Sequence, residues 1–188
     1  MRKDRVAIYI DGGNTYRKLK DFGLPEDGKR FDFDAFVHYL LSTRELVSKR
    51  YYVGQVRNTD HTDKSEELVR KQQIFLETLR ASSFDVKLSK IMYDTGRIRE
   101  KGVDVKLAID VVIGASDNLY DTAIVVSSDT DLIPAIKYAV NGKKKNIEYI
   151  GFAGSPSYGM MKESTVQRVL AKEDLAVFQY DKPVVQKN

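Results

Sequence analysis

The sequence has no cysteine and no tryptophan, and only two histidines, His38 and His61, among 188 residues. Without thiols, disulfides, iron–sulfur clusters, cysteine zinc sites and thiol catalysis are excluded, and an intracellular setting is the default expectation. With so few imidazoles, any metal site must be built mainly from oxygen ligands, which suit hard cations such as Mg²⁺ and Mn²⁺. Long apolar runs are missing too. Val6 to Ile10 is far too short for a signal h-region or a membrane span, so a cytoplasmic protein without a membrane partner is expected. No internal repeat and no linker-like tract divides the chain, so one domain over residues 1–181 with a tail at 182–188 is expected.

What is present describes a globular chain: 42% hydrophobic and 31% charged residues, enough length for a core, and a formal net charge of +4. That mild basic excess tolerates a polyanion without demanding one. Short β-branched runs alternate with helical patterns. VAIYI, RYYVGQV, DVKLSKIMY, TAIVVSS and NIEYIGF read as strands, with AVFQY as a closing one. Helical spacing is expected after Asn14, over FDFDAFVHYLLS with Asp32 or Asp34 as cap, and over Ser65 to Ala81 with Leu68, Ile74, Phe75 and Leu79 inward. Further helices are expected over Val103 to Ala115, apolar nearly all round and hence buried, over Leu132 to Val140, and around Met160 to Leu170. TGRIREKG reads as a basic connection. Alternation of this kind predicts βαβ units and an α/β fold with a mostly parallel sheet.

In such folds ligands bind beyond the carboxyl ends of the strands. Two of the strongest predicted strands run into aspartates, Asp11 and Asp129, and Asp131 follows two residues later. Helix capping explains Asp129 or Asp131 equally well when either is taken alone. Asp11-Gly12-Gly13-Asn14 sets a carboxylate, a flexible turn and a carboxamide within four residues; its glycines suit either a close ligand or a strand-to-helix turn. Asp104 lies among Val103, Val105, Leu107 and Ala108, and aspartate is rarely buried unless paired or metal-bound. A salt bridge to Lys101 or Lys106 is the other explanation. Asp110 points elsewhere on that helix, as a supporting acid or the partner of Lys106. Carboxylates that converge raise each other's pKa, and a divalent cation removes the repulsion. On this reading Asp11, Asp104 and Asp129 are metal ligands, Asp131 completes the set, and Asn14 orients a phosphate or a water.

The segments IDGGN (Ile10 to Asn14), KGVDVKLAID (Lys101 to Asp110) and VSSDTDLIP (Val126 to Pro134), in that order, resemble the NYN family of PIN-like nuclease-related domains, most closely its LabA-like bacterial branch. The resemblance extends more weakly to KESTVQRVLAKEDLAVF. It implies a PIN-like three-layer sandwich with helices on both faces of the sheet, and a Mg²⁺- or Mn²⁺-dependent ribonuclease site. It also places the family's acidic ligands on Asp11, Asp104, Asp129 and Asp131 and its polar partner on Asn14. Two positions depart from the family pattern: Ser128, where relatives have glycine, and Leu132, where phenylalanine is common. Ser128 thereby becomes a residue expected to border the pocket.

RNA needs a cationic approach. Lys90, Arg97, Arg99 and Lys101, with Tyr93 nearby, form a basic stretch suited to single-stranded RNA, although a solvated loop has the same composition. DNA stays open as a substrate, and so does self-association through some of the 11 tyrosines. Two other functions compete: a binding module that keeps the fold without catalysis, and a phosphatase using Asp11 as nucleophile. The phosphatase wants an acid two residues later, where Gly13 stands. A dinucleotide site is disfavoured because IDGGNTY lacks the G-x-G-x-x-G spacing.

Overall fold

A computed structural model describes residues 2–56, 58, 62–94 and 97–181; residues 90–94 and 97–101 are described by their backbone. At its centre is β1 (Arg5–Asp11), a strand buried on both faces. It pairs in parallel with β3 (Glu45–Gln55) on one side and β6 (Thr122–Val126) on the other. Beyond β3 come β4 (Asp85–Asp94) and β5 (Arg97–Lys101); beyond β6 come β7 (Asn146–Phe152) and β8 (Val166–Leu170). The order is β5-β4-β3-β1-β6-β7-β8, parallel throughout except for the antiparallel edge strand β5.

Alternation along the strands creates two cores, because successive side chains leave opposite faces of a sheet. Val6, Ile8 and Ile10 pack with Leu19, Phe36, Leu40 and Leu79. These come from α1 (Gly12–Asp21), α2 (Phe33–Leu41) and α3 (Asp63–Ala81), all on one face. Ala7 and Tyr9 pack with Val103, Leu107, Val111, Ile136 and Met160 on the other. That layer comprises α4 (Val103–Ser116), α5 (Ile133–Lys137) and α6 (Tyr158–Glu163). A strand covered on both faces must be apolar at every position, which is why VAIYI and TAIVV lack the half-polar alternation of a surface strand. Trimming Ile8 or Ile124 to valine is expected to cost about 1 kcal/mol by leaving a cavity. The α/β sandwich expected from the sequence is the fold observed.

The helix after β1 covers one face and the helix after β6 covers the other, so the two chain exits part at the carboxyl ends of neighbouring strands. This parting is the topological switch point of an open α/β sheet, where its crevice lies. Gly12 is demanded here by packing. A Cβ on it would stand 2.3 Å from the ring of Tyr51, so the glycine turn serves the fold and not a ligand's approach to the backbone at that residue.

Several elements differ from expectation. Met160 to Leu170 is not one helix: α6 ends at Glu163 and β8 joins the sheet. The β-branched Thr165 sets its start, exchanging hydrogen bonds with the backbone of Ile147 through both its amide and its hydroxyl. The closing segment forms α7 (Lys172–Ala176) and then β9 (Gln179–Asp181), which pairs with β2 (Lys29–Phe31) outside the main sheet. Residues 97–101 form a strand rather than a loose connection. Helix α3 buries Leu76 and Leu79, while Leu68 and Ile74 face solvent. Helix α4 is buried on one side only: Val105, Ile109 and Ile113 are about half exposed, along a stripe spaced by four residues. The Leu132 to Val140 segment is divided into a 3₁₀ turn at Thr130–Leu132, α5, and a π-helical turn at Tyr138–Gly142. His61 and the tail at 182–188 lie outside the described residues.

Candidate functional site

Asp11 is the last residue of β1 and is 7% exposed. Its two carboxylate oxygens are engaged differently. Oδ1 accepts the Asn14 N–H at 2.9 Å and so caps α1, while Oδ2 accepts the hydroxyl of Ser127 at 2.9 Å. Ser127 is fully buried just past the end of β6, and its oxygen also accepts the Asp129 N–H at 3.1 Å. Asn14 Oδ1 accepts the Ser128 N–H at 3.1 Å, and Asp129 Oδ1 accepts the Asp131 N–H at 3.0 Å, capping the 3₁₀ turn. Together these bonds tie the carboxyl end of β1 to the chain leaving β6. They also settle the capping question: Asp11 and Asp129 are caps. Capping uses one lone pair of a carboxylate that offers about four, so it does not compete with ligation.

Burial pushes the Asp11 carboxyl above its ordinary pKa, and the neighbouring Asp129 carboxylate adds to the rise. Hydrogen bonds from Asn14 and Ser127 and the positive charge of Arg17 oppose it. Asp11 takes part in no ion pair among the described residues. A carboxylate so enclosed, beside a second one, favours either a proton or a cation.

Asp131 is exposed, and its carboxylate accepts no hydrogen bond among the described residues. Asp104 sits in the first turn of α4, partly buried, with neither hydrogen bond nor ion pair to a described side chain. Lys106, one of its two expected partners, instead donates to the carbonyl of Leu88. Val103, next to Asp104, shares an apolar cluster with Leu132, next to Asp131. Among the described residues, however, no three acids or histidines are grouped closely enough to hold an ion. The structure thus brings Asp11, Asn14, Ser128, Asp129 and the Asp131 amide into one bonded set. It leaves the Asp104 carboxylate outside that set.

Asp110 belongs elsewhere. Its Oδ2 accepts the Tyr52 hydroxyl at 2.6 Å and lies 3.2 Å from Arg50 Nη1, while its carbonyl accepts the Tyr9 hydroxyl at 3.4 Å. Neither the expected pairing with Lys106 nor a bond to the Asp11 group is present. Burial and this hydrogen bond drive the Tyr52 phenol far above its usual pKa. The Ser128 hydroxyl meets that of Tyr149 at 3.2 Å, and Tyr149 in turn accepts the Ser157 N–H at 2.8 Å. Lys90, Arg97, Arg99 and Lys101 lie in the β4–β5 hairpin, where the backbone pairs Lys90 with Lys101, Met92 with Arg99 and Asp94 with Arg97. Their side chains fall outside the described set. A cavity of about 230 Å³ lined by Ala7, Tyr9, Val47, Ser48, Arg50, Leu119 and Tyr120 borders the Arg50 side of the Asp110 group and includes none of Asp11, Asn14, Asp129 and Asp131. The sequence reading missed Ser127 and Arg17. Ser127 carried a signal only in ending the apolar run of β6 beside Asp129.

A mostly parallel open sheet, with two neighbouring aspartates at its switch point, is the architecture of the α/β proteins. The chain belongs to the NYN domain family, whose pattern matches residues 5–169, and hence to the PIN-like nuclease superfamily. It is also similar to the crystal structure of a protein of unknown function from Vibrio parahaemolyticus. That similarity has a TM-score of 0.68 at 22% identity, covering 90% of this chain and 94% of the other, and it speaks for the fold alone. Comparison with curated proteins gives no match.

Proposed function

We propose that the protein is a Mg²⁺- or Mn²⁺-dependent ribonuclease, of the LabA-like kind, that cuts phosphodiester bonds at the mouth between β1 and β6. The observation that carries this reading is Asp11: 7% exposed, raised in pKa, beside Asp129, and without an ion pair among the described residues. Such a pair fits a divalent ion, because Mg²⁺ is commonly held by one or two carboxylates, waters and the substrate's own phosphates. Asp11 and Asp129 would hold it, and Asp104 and Asp131 are the acids that would complete the set. When bound, the ion supplies a Lewis acid and a water of lowered pKa.

The chain's own residues supply orientation. The Ser127 hydroxyl holds Asp11 and the Asp129 backbone at fixed separation. The carboxamide oxygen of Asn14 is taken by Ser128, which leaves its NH₂ to face a phosphate oxygen or water. RNA is the proposed substrate, in a cytoplasmic setting.

Cleavage of labelled RNA and DNA oligonucleotides with Mg²⁺ or Mn²⁺, and again in excess EDTA, tests the proposal. RNA cleavage that stops with the chelator is the expected result. Full activity in EDTA removes the metal, and binding without cleavage under any metal assigns the chain to the non-catalytic modules.

A further inference from the structure

Helix α4 carries an apolar stripe on the side turned away from the sheet. Val105, Ile109 and Ile113 are 54%, 50% and 46% exposed and follow one another every four residues, which stacks them on a single face. A surface helix ordinarily has its charged residues there. In α4 they are drawn aside: Lys106 donates to the Leu88 carbonyl, Asp110 is held by Arg50 and Tyr52, and Asp104 is partly buried in the first turn. The patch continues at the carboxyl end of the helix. There the Ser116 hydroxyl lies 2.9 Å from that of exposed Tyr138. Asn118, in the left-handed region, turns the chain back so that the N–H of exposed Leu119 bonds the Gly114 carbonyl at 2.9 Å. In an ending of this kind that residue packs back on the last turns of its helix.

We infer that α4 is the contact face of a symmetric homodimer, packed antiparallel on the α4 of a second copy. The stripe is self-complementary about a two-fold axis at its centre: Ile109 meets its own copy, and Val105 meets Ile113. With Tyr138 and Leu119, the uncovered parts of these residues come to roughly 400 Å², a size at which exposed apolar surface marks an interaction site. A standard interface takes about 800 Å² from each partner, a little over half of it apolar. The patch therefore supplies most of the apolar share a dimer needs, with Lys106, Ser116 and Asp117 as a polar rim. The chain reaches Asp181 on the other face of the sheet, where Phe178 packs with Phe31 and Phe36. That placement favours a second copy over the chain's own C-terminal end as the occupant.

Because the chain has no cysteine, single introduced thiols report the geometry directly. Under mild oxidation, full-chain I109C is expected to form a disulfide-linked dimer, since its two copies meet at the axis. V105C alone is expected to stay unlinked, because its two copies stand about 12 Å apart along the helices, whereas an equal mixture of V105C and I113C links. In sedimentation velocity over a concentration series, the parent is expected to dimerise reversibly. I109E is expected to raise the dissociation constant about a hundredfold or more, by burying two carboxylates face to face. L68E, at the equally exposed Leu68 of α3 on the other face, is expected to dimerise as the parent does. A parent that stays monomeric overturns the dimer, including where the stripe takes a different protein or the chain's own end. A parental dimer that I109E leaves as tight overturns α4 as its face, and V105C that links to itself overturns the antiparallel register. None of these results touches the nuclease reading, which oligonucleotide cleavage tests separately.

Discussion

Asp110 and Asp11 are acids set on the same side of the central sheet, one on α4 and one at the end of β1, and their surroundings answer their charge in opposite ways. Asp110 faces a guanidinium and a phenol, with Arg50 at 3.2 Å and Tyr52 at 2.6 Å, so its charge is neutralised within the fold. Asp11 is more deeply enclosed yet receives only neutral donors, from Asn14 and Ser127, and faces another carboxylate. The fold neutralises one acid and leaves the other short of positive charge, and on the proposed function that difference separates a structural acid from a metal ligand. The first acid stabilises the native state. The second stores repulsion that a ligand can relieve.

The contrast is broken or sharpened most strongly by activity. Asp11→Asn and Asp129→Asn are each expected to lower metal-dependent RNA cleavage by about a hundredfold or more, because either removes a charge that holds the ion. Asparagine caps about as well as aspartate, so both variants should fold. Asp110→Ala should act on stability instead. Urea denaturation is expected to show a loss of about 2–4 kcal/mol, since Arg50 and Tyr52 are left without their partner in a partly buried site. An Asp110→Ala variant as stable as the parent but inactive would move Asp110 into the active site.

Smaller effects concern the coupling between the two strands. Ser127→Ala removes a donor to Asp11 and an acceptor for the Asp129 amide, and is expected to cost about 1 kcal/mol. Because the lost hydrogen bond held the Asp11 pKa down, that pKa should rise further in the variant, as followed by carboxyl NMR shifts.

The pH dependence of stability has a definite sign as well. Asp11 binds its proton more tightly in the folded than in the unfolded chain. Its contribution therefore falls as pH rises from the unfolded carboxyl pKa through the raised folded one, and stays low above it. Relative to the parent, metal-free Asp11→Asn should gain stability across that window. Asp121 has the opposite sign: Arg5 depresses its pKa to about 2, so its stabilising effect is present above the unfolded carboxyl pKa and is lost as pH falls towards 2. Denaturation series for Asp11→Asn and Asp121→Asn should diverge in opposite directions.

The parts of this picture legible in the sequence were those with a local cause. VAIYI and AIVV read as buried strands because neither has a charged or half-polar alternation, and the acids that follow, Asp11 at once and Asp129 after two serines, are read off the chain. Helix α4 was misjudged because a run of valine, isoleucine and alanine does not say which side is covered; the exposed stripe at Val105, Ile109 and Ile113 depends on what packs against the other side. Strand β8 was hidden because VQRVL is an edge strand with only Leu170 fully inside. Ser127 was passed over for a comparable reason. A serine hydroxyl has meaning here only once β6 lies beside β1, a pairing of residues 116 apart. The partners of Asp110 are likewise set by β3, some 58 residues away at Tyr52.

The most direct test of the central claim, that Asp11 and Asp129 form a cation-binding pair, is the Mn²⁺ dependence of thermal unfolding without RNA. For the parent, the melting temperature is expected to climb with Mn²⁺ concentration, the gain reaching about 2.7 kcal/mol at a hundredfold excess over Kd. Asp110→Ala should start lower and climb by the same amount. Asp129→Asn should start at or above the metal-free parent and lose most of the climb. An Asp129→Asn chain that Mn²⁺ stabilises as much as the parent would contradict the account, and would leave Asp129 with no more than its role as a cap.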